Sequence, residues 1–245
     1  LWHFCETLEI VQYSSFWTAR GAWSLSDLPV LYKDERLLFV NKPSGLVVHR
    51  GLARDKITVA DIVRDEIVGA KVFAIHRLDR GTSGVVGFAL DASMASAMQA
   101  VLGSPETKKE YVALVRGPMD AEIDLDHPVP GSPDGDRVPA RTFFRPLARA
   151  GRWSLVRAYP HTGRYHQIRR HLKHLSLPVV GDTKYGKGEV NRYFRQTLDF
   201  HRLFLHARSL MFRHPDTGKA IEVQAGLDES LTRVISELFP DLDDF

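Results

Sequence analysis

A chain of 245 residues with 33 Lys and Arg against 30 Asp and Glu carries a formal charge of only +3. That length suits one domain with a short appendage, enough to remove roughly 70–75% of the unfolded surface from water. Hydrophobic residues at 44% and charged residues at 26% exclude disordered, collagenous and coiled-coil classes.

Residues 1–28 show no clean periodicity and are expected to form an extension of undefined structure, with one domain over 29–245. Residues 30–32 and 37–40 read as short strands separated by a polar turn, and Lys42-Pro43-Ser44-Gly45 as a β-turn before a further β-type run at 46–48. Thr58 can cap a helix carrying Val59, Ile62, Val63 and Ile67 on one face. Residues 85–90 form a buried strand, after which Asp91 caps a helix that runs to Leu102 and stops at Gly103. Strands follow at 110–115, 142–147 and 153–159, the first with Tyr111, Ala113 and Val115 on one face. Residues 203–212 and 220–223 pair across the turn His214-Pro215-Asp216-Thr217-Gly218, and a helix over 230–238 closes the chain. Strands joined by turns and interrupted by a few helices give an α+β domain on a mixed, largely antiparallel sheet flanked by helices.

Cys5 is the single cysteine, so no internal disulfide can form, which fits a reducing compartment. No apolar run approaches the roughly 20 residues that span a bilayer, and residues 1–10 lack the basic start and apolar centre of a signal peptide. A cytoplasmic location without a membrane partner is expected.

The mild net charge conceals a polarised distribution. Residues 141–173 hold nine Lys or Arg, four histidines lie at 161–174, and the next acid is Asp182; residues 226–245 hold six Asp or Glu and one Arg. Within this block, residues 165–175 form a helix with His166, Arg169, Arg170 and Lys173 on one face and Ile168, Leu172 and Leu175 on the other, with Thr162 placed to cap it. Solvated helices normally mix charge signs, so an acid-free face points to a polyanion or a phosphorylated ligand.

Three other patterns lead nowhere. Gly181-Asp182-Thr183-Lys184-Tyr185-Gly186-Lys187-Gly188 nearly fits a phosphate loop, but Gly188 offers no magnesium ligand where Ser or Thr is needed. His166, His171 and His174 do not share a helical face, so no metal site is expected. Gly81-Thr82-Ser83-Gly84 lacks the spacer of a serine-nucleophile elbow.

His76-Arg77-Leu78-Asp79-Arg80-Gly81-Thr82-Ser83-Gly84-Val85 resembles the catalytic signature of pseudouridine synthases of the large-subunit rRNA synthase A (RluA) type. In the same order, residues 40–49, Lys108-Lys109-Glu110-Tyr111-Val112-Ala113, residues 162–172 and the stretch 177–186 resemble further motifs of that family. The resemblance spans 30–227 and implies an isomerase that detaches uracil from the ribose C1′, rotates it and rejoins it through C5, without a cofactor or metal. It implies that Asp79 is the catalytic carboxylate, Arg169 its charge partner and Tyr111 a ring stacked on the target base. A guanidinium beside a carboxylate favours its ionised form, the form able to act as nucleophile or base. Arg77 matches a position that fills the stack vacated by the flipped uridine, and Arg164, His166 and Lys173 would lie along the RNA backbone.

Residues 169–175 with Asn191 and Arg192 most resemble the subgroup that modifies uridine 65 of tRNA, with 23S rRNA as the alternative substrate. The short stretch before the match leaves no room for an N-terminal RNA-binding module, so target choice is expected to rest on the catalytic domain, acting as a monomer. A non-catalytic RNA-binding module on the same scaffold is the reading from another class. It is disfavoured by the intact set Asp79, Tyr111 and Arg169, because a protein that only binds polyanionic RNA has no need of that carboxylate.

Overall fold

The computed structural model describes residues 9–10, 28–50 and 57–242, so the expectations about Cys5 and most of the N-terminal extension lie outside the described residues. In chain order the strands are β1 (Glu9–Ile10), β2 (Val30–Lys33), β3 (Leu37–Lys42), β4 (Phe73–Ala74), β5 (Ser83–Ala89), β6 (Lys108–Arg116), β7 (Ile123–Asp126), β8 (Val129–Pro130), β9 (Arg137–Val138), β10 (Arg141–Ala150), β11 (Trp153–Pro160), β12 (Leu205–Arg213) and β13 (Ala220–Gln224). The helices are α1 (Val59–Ile62), α2 (Ala92–Gly103), α3 (Gln167–His174), α4 (Gly188–Leu198) and α5 (Glu229–Leu238).

One large sheet runs β2-β3-β5-β12-β6-β11-β10-β7, with β13 and β4 filling the space beside β12 and β5. Its pairings are antiparallel except β5 with β12 and β1 with β13. The expected mixed, mostly antiparallel sheet with flanking helices is what forms. β5 and β12 meet only at Ser83 with His206 and Gly84 with Ala207. Gly84 has φ +111, and a Cβ there would lie 2.1 Å from the Ala207 carbonyl oxygen, so this close approach needs glycine.

All seven residues of β5 are buried, because both faces of the sheet are covered at this strand. On one face Phe39 and Phe212 pack with Met94 and Met98 of α2; on the other, Val40, Val86 and Phe88 pack with Val59 and Ile62 of α1. A third cluster joins β6, β10 and β11 to α3, α4 and α5 through Leu114, Phe144, Leu172, Phe194 and Val234. Asp91 and Asp228 cap α2 and α5 by accepting from Met94 and Leu231 backbone N–H groups, and Thr58 forms a reciprocal capping box with Asp61.

The structure departs from the sequence expectations in several places, among them the unexpected strands β4, β7, β8 and β9. The run 46–48 is no strand: the Val47 and Val48 carbonyls instead accept from Val59 and Ala60, satisfying the first turn of α1. The helix capped by Thr58 changes to π-helical turns over Val63–Val68 and ends at Gly69. Thr162 does not cap α3; its hydroxyl donates to Gln167 Oε1 at 2.7 Å, and His166 occupies the N-cap position in a left-handed conformation. Finally, α4 was not anticipated; it starts at Gly188 behind Lys187, which makes no side-chain cap.

Candidate active site

Asp79 lies on the loop between β4 and β5, closed by a Thr82 N–H bond to the Asp79 carbonyl at 3.0 Å. The turn after β3 clamps this loop. Gly45 N–H donates to Arg80 O, Ser44 Oγ donates to Gly81 O at 2.8 Å, and buried Lys42 spends its Nζ on Pro43, Leu46 and Arg80 carbonyls.

Arg169, in the first turn of α3, donates from Nη1 to Asp79 Oδ2 at 2.9 Å. Its Nε and Nη2 grip Asp182 as a two-pronged fork at 2.7 and 2.9 Å. The Asp182 side chain is fully buried and also accepts from the Lys184 and Tyr185 backbone N–H groups. Asn191 of α4 fixes this turn, accepting from Gly181 N–H and donating to the Asp182 carbonyl. Gly181 has φ +77, and a Cβ would come 1.8 Å from Arg202 O, so the turn can reach Arg169 only with glycine there.

These groups border a cleft of about 930 Å³ walled by Asp79, His166, Arg169, Asp182, Lys42 and Arg202, among others. On a further wall Arg202, paired to Asp228, donates to Ser83 Oγ at 2.5 Å, and Ser83 pairs with buried His206 Nδ1 at 2.8 Å. His206 Nε2 faces the Ala225 carbonyl, which can only accept, so Nε2 carries the ring proton and Ser83 donates to Nδ1. A carboxylate held from behind by a doubly anchored guanidinium, with one oxygen free in an open cleft, suits attack on or proton removal from a substrate placed there.

Residues 36–174 match the family described as RNA pseudouridylate synthase. The chain belongs to that family. It is an isomerase acting on RNA. The tRNA pseudouridine synthase C of Vibrio cholerae is 40% identical over 233 residues, covering 86% of this chain and 95% of the relative. That of Haemophilus ducreyi is 40% identical over 225 residues, covering 83% of this chain and 92% of the relative. Among solved structures, human RNA pseudouridylate synthase domain containing 4 superposes with a TM-score of 0.70 at 24% identity, covering 86% of this chain and 92% of that one. Human RNA pseudouridylate synthase domain containing 1 gives 0.68 at 24% identity, covering 92% and 100%. At that identity the two human structures speak for the shared fold.

In this pseudouridine synthase the structure brings Asp79, Arg169 and His166 together, with His166 Nε2 at 3.7 Å from Asp79 Oδ1. Tyr111, on β6, packs against two of the core clusters; burial first, and the Asp79 charge second, push its phenol up, so it stays protonated. Burial pulls the His166 imidazole down to about 4, against the opposing pull of Asp79 and with help from Arg169, Lys184 and Arg170. Burial likewise lowers Lys42 to about 7.

Tyr111 and the other three expected contact residues are not among those that wall the cleft. Arg77, Arg164 and Lys173 are exposed; Arg164 Nε donates to the Pro139 carbonyl, while Arg77 and Lys173 make no hydrogen bond or ion pair to another described residue.

The synthase's acid-free block is less cationic in space than in sequence. Arg141, Arg145 and Arg149 along β10 pair with Asp124, Glu122 and Asp120, and Arg157 pairs with Glu110. Arg169 is neutralised by Asp79 and Asp182, and Arg170 lies over the Tyr165 and Tyr185 rings. Sequence reasoning missed Asp182, Lys42, Tyr185 and Arg202. Asp182 had a signal, being the acid that ends the basic block. Lys42 lay within the family-like run 40–49, whereas Arg202 had no signal, because its side-chain partners Asp228 and Ser83 lie far along the chain. Among the described residues no group of three or more His, Cys, Asp or Glu is arranged to hold a metal ion, and no helix is long and apolar enough to cross a membrane.

Proposed function

We propose that this enzyme isomerises uridine 65 of tRNA to pseudouridine, with Asp79 as the reacting carboxylate. The observation that carries the catalytic part is the split environment of Asp79: Oδ2 is taken by Arg169, and Oδ1 is left in the cleft. The tRNA part rests on relatives named tRNA pseudouridine synthase C at about 40% identity over most of the chain.

In the isomerisation the N1–C1′ bond breaks and a C5–C1′ bond forms, while C5 loses a proton and N1 gains one. Asp79 acts at C1′ or at C6, with Arg169 holding its charge and orientation. Tyr111 stacks on the uracil. Extruding the uridine from its helix costs a few kcal/mol, of which stacking returns about 1–3 kcal/mol. Arg77 fills the vacated stack, and Arg164 and Lys173 hold backbone phosphates as exposed cations. Closure of the cleft around the base keeps water from a detached uracil. The enzyme works as a monomer.

The test is incubation of the purified chain with unmodified tRNA and 23S rRNA, followed by mapping of pseudouridine. One new pseudouridine at position 65 of tRNA is expected, and none with Asp79→Asn at unchanged folding. Modification of rRNA alone would overturn the tRNA assignment. Salt-dependent RNA binding without any pseudouridine would make the chain a binding module.

A further inference from the structure

Asp79 Oδ1, the oxygen Arg169 leaves free, faces the imidazole of His166 at 3.7 Å from Nε2. The second ring nitrogen, Nδ1, lies 3.0 Å from the Tyr185 hydroxyl. Tyr165 stacks flat on the imidazole with centroids 3.8 Å apart, and Tyr185 meets it edge-on at 5.6 Å. His166 sits at φ 53, a left-handed conformation that a non-glycine residue rarely adopts. It holds the N-cap position of α3, yet its side chain makes no capping bond. Helix formation therefore does not account for the strained backbone or for the ring's placement.

We propose that Tyr185 and His166 are positioning residues for Asp79: the Tyr185 hydroxyl donates to Nδ1, the imidazole carries its proton on Nε2, and that N–H is aimed at the free oxygen of Asp79. The inference rests on Asp79 being the reacting group. A neutral imidazole has one donor and one acceptor, so only two arrangements exist. With the proton on Nδ1, the ring would donate to Tyr185 and turn the Nε2 lone pair onto an anionic oxygen. With the proton on Nε2, a donor faces an acceptor-only carboxylate, and Nδ1 can accept from the phenol. The second arrangement satisfies both neighbours.

The charges facing the ring keep it neutral. Asp79 comes from the loop before β5, Arg169 and Arg170 from α3, and Lys184 from the turn after Asp182; burial and the three cations outweigh the carboxylate and lower the imidazole to about 4. Burial raises the Tyr185 phenol, so it retains the proton it donates. The Arg169 bond to one oxygen and the His166 N–H directed at the other from 3.7 Å then set the plane that the carboxylate presents to the cleft. No proton changes hands in this arrangement. Tyr185 acts two groups away from the reacting atom.

The direct test is nitrogen NMR of the whole chain labelled in its histidine side chains, with His166 assigned through His166→Gln. The wild-type ring is expected as the Nε2–H tautomer at pH 7, shifting to a mixture in Tyr185→Phe and in Asp79→Ala. In turnover, Tyr185→Phe should lower kcat about tenfold with KM for RNA within about twofold. His166→Gln, whose amide can present an N–H where Nε2 lay, should retain more activity than His166→Ala. A wild-type Nδ1–H tautomer, a doubly protonated ring, a tautomer unmoved by both variants or an unchanged kcat in Tyr185→Phe would overturn the proposal. The tautomer is read without RNA, so a chain that modifies no tRNA would defeat the proposed substrate and leave this measurement standing.

Discussion

Arg169 ties Asp79 to Asp182: two of its nitrogens are spent on the buried carboxylate and the third on the carboxylate that opens into the cleft. The buried partner, itself anchored by two backbone N–H groups, is the fixed end of this arrangement. The guanidinium carries that rigidity forward to Asp79.

Arg169→Lys keeps the charge and loses the fork, because a single ammonium cannot reach both carboxylates in these directions. The expected result is a fall in kcat of about a hundredfold or more, with a stability loss of about 3 kcal/mol from the poorly paired Asp182. Single-turnover kinetics and urea unfolding measure the two effects. A variant within about twofold of wild-type kcat would remove Arg169 from the site.

Asp182→Asn replaces an oxygen that only accepts with an amide whose N–H₂ must face other donors. Oδ1 already accepts from Arg169 Nη2 and the Lys184 and Tyr185 N–H groups, so the amide N–H₂ takes the place of Oδ2 and faces Arg169 Nε. A destabilisation of about 2–4 kcal/mol is expected, with a kcat loss approaching that of Arg169→Lys, although Asp182 is fully buried. Equilibrium unfolding together with kcat decides it.

Gly181→Ala places a methyl 1.8 Å from the Arg202 carbonyl oxygen, at a φ of +77. Neither the backbone atom nor the dihedral can yield locally, so a loss of about 3 kcal/mol or more is expected. Gly188→Ala is the control, since nothing lies within 4 Å of its added methyl. Thermal melts of the pair should separate clearly.

The arginine ladder on β10 sets a prediction about salt. Among the described residues Arg77, Arg164 and Lys173 have no acidic partner, whereas Arg141, Arg145 and Arg149 each have one. Each alanine substitution in the first set should reduce the slope of log affinity against log salt by about one, and those in the second set by much less. Equal losses in both sets would show that the ladder opens when RNA binds.

Stability should fall as pH drops from about 6.5 to about 4. Burial lowers both His76 and His206 to about 4 in the folded protein, while the unfolded residues titrate near 6.5. Between those values the unfolded chain binds more protons, so acid favours unfolding by up to about 1.4 kcal/mol per pH unit from each histidine. Protonation would also break the bond in which His76 Nε2 accepts from the Gly87 N–H. Melting temperature should decline below pH 6.5, with a shallower decline in His76→Gln. It should rise above pH 7, where the unfolded chain still protonates Lys42, the lysine that burial lowers to about 7 in the folded protein.

Where an element is set by its own residues, the sequence could be read. Asp91 marks α2 with the side chain that caps it, and Ile168 and Leu172 on α3 are buried as their spacing requires. The charges were harder. A count along residues 141–173 registers no acid, yet the ladder's partners lie 17, 23 and 29 residues upstream, across a strand pairing that composition cannot see. Arg169 and Asp79 are 90 residues apart, and only the family resemblance connected them. The helix α4 escaped notice because its first residues, Lys187 and Gly188, carry no capping side chain. His166 was grouped with the RNA-facing cations, while the structure sets it, neutral, beside Asp79.

The position of β12 bears on how the protein is made. This strand lies between β5 and β6 in the middle of the sheet, yet it is nearly the last strand to be synthesised. A nascent chain that has passed Arg169 already carries every residue assigned to the chemistry, while the facing edges of β5 and β6 still lack their partner. Those edges, Ser83 and Gly84 of β5 and 108–113 of β6, lack this partner until residues 205–213 emerge, a state that invites association between chains and slows closure through long-range pairing. Yield of soluble enzyme should therefore depend on completing the chain quickly, and truncations before residue 205 should aggregate even though Asp79, Tyr111 and Arg169 are all present.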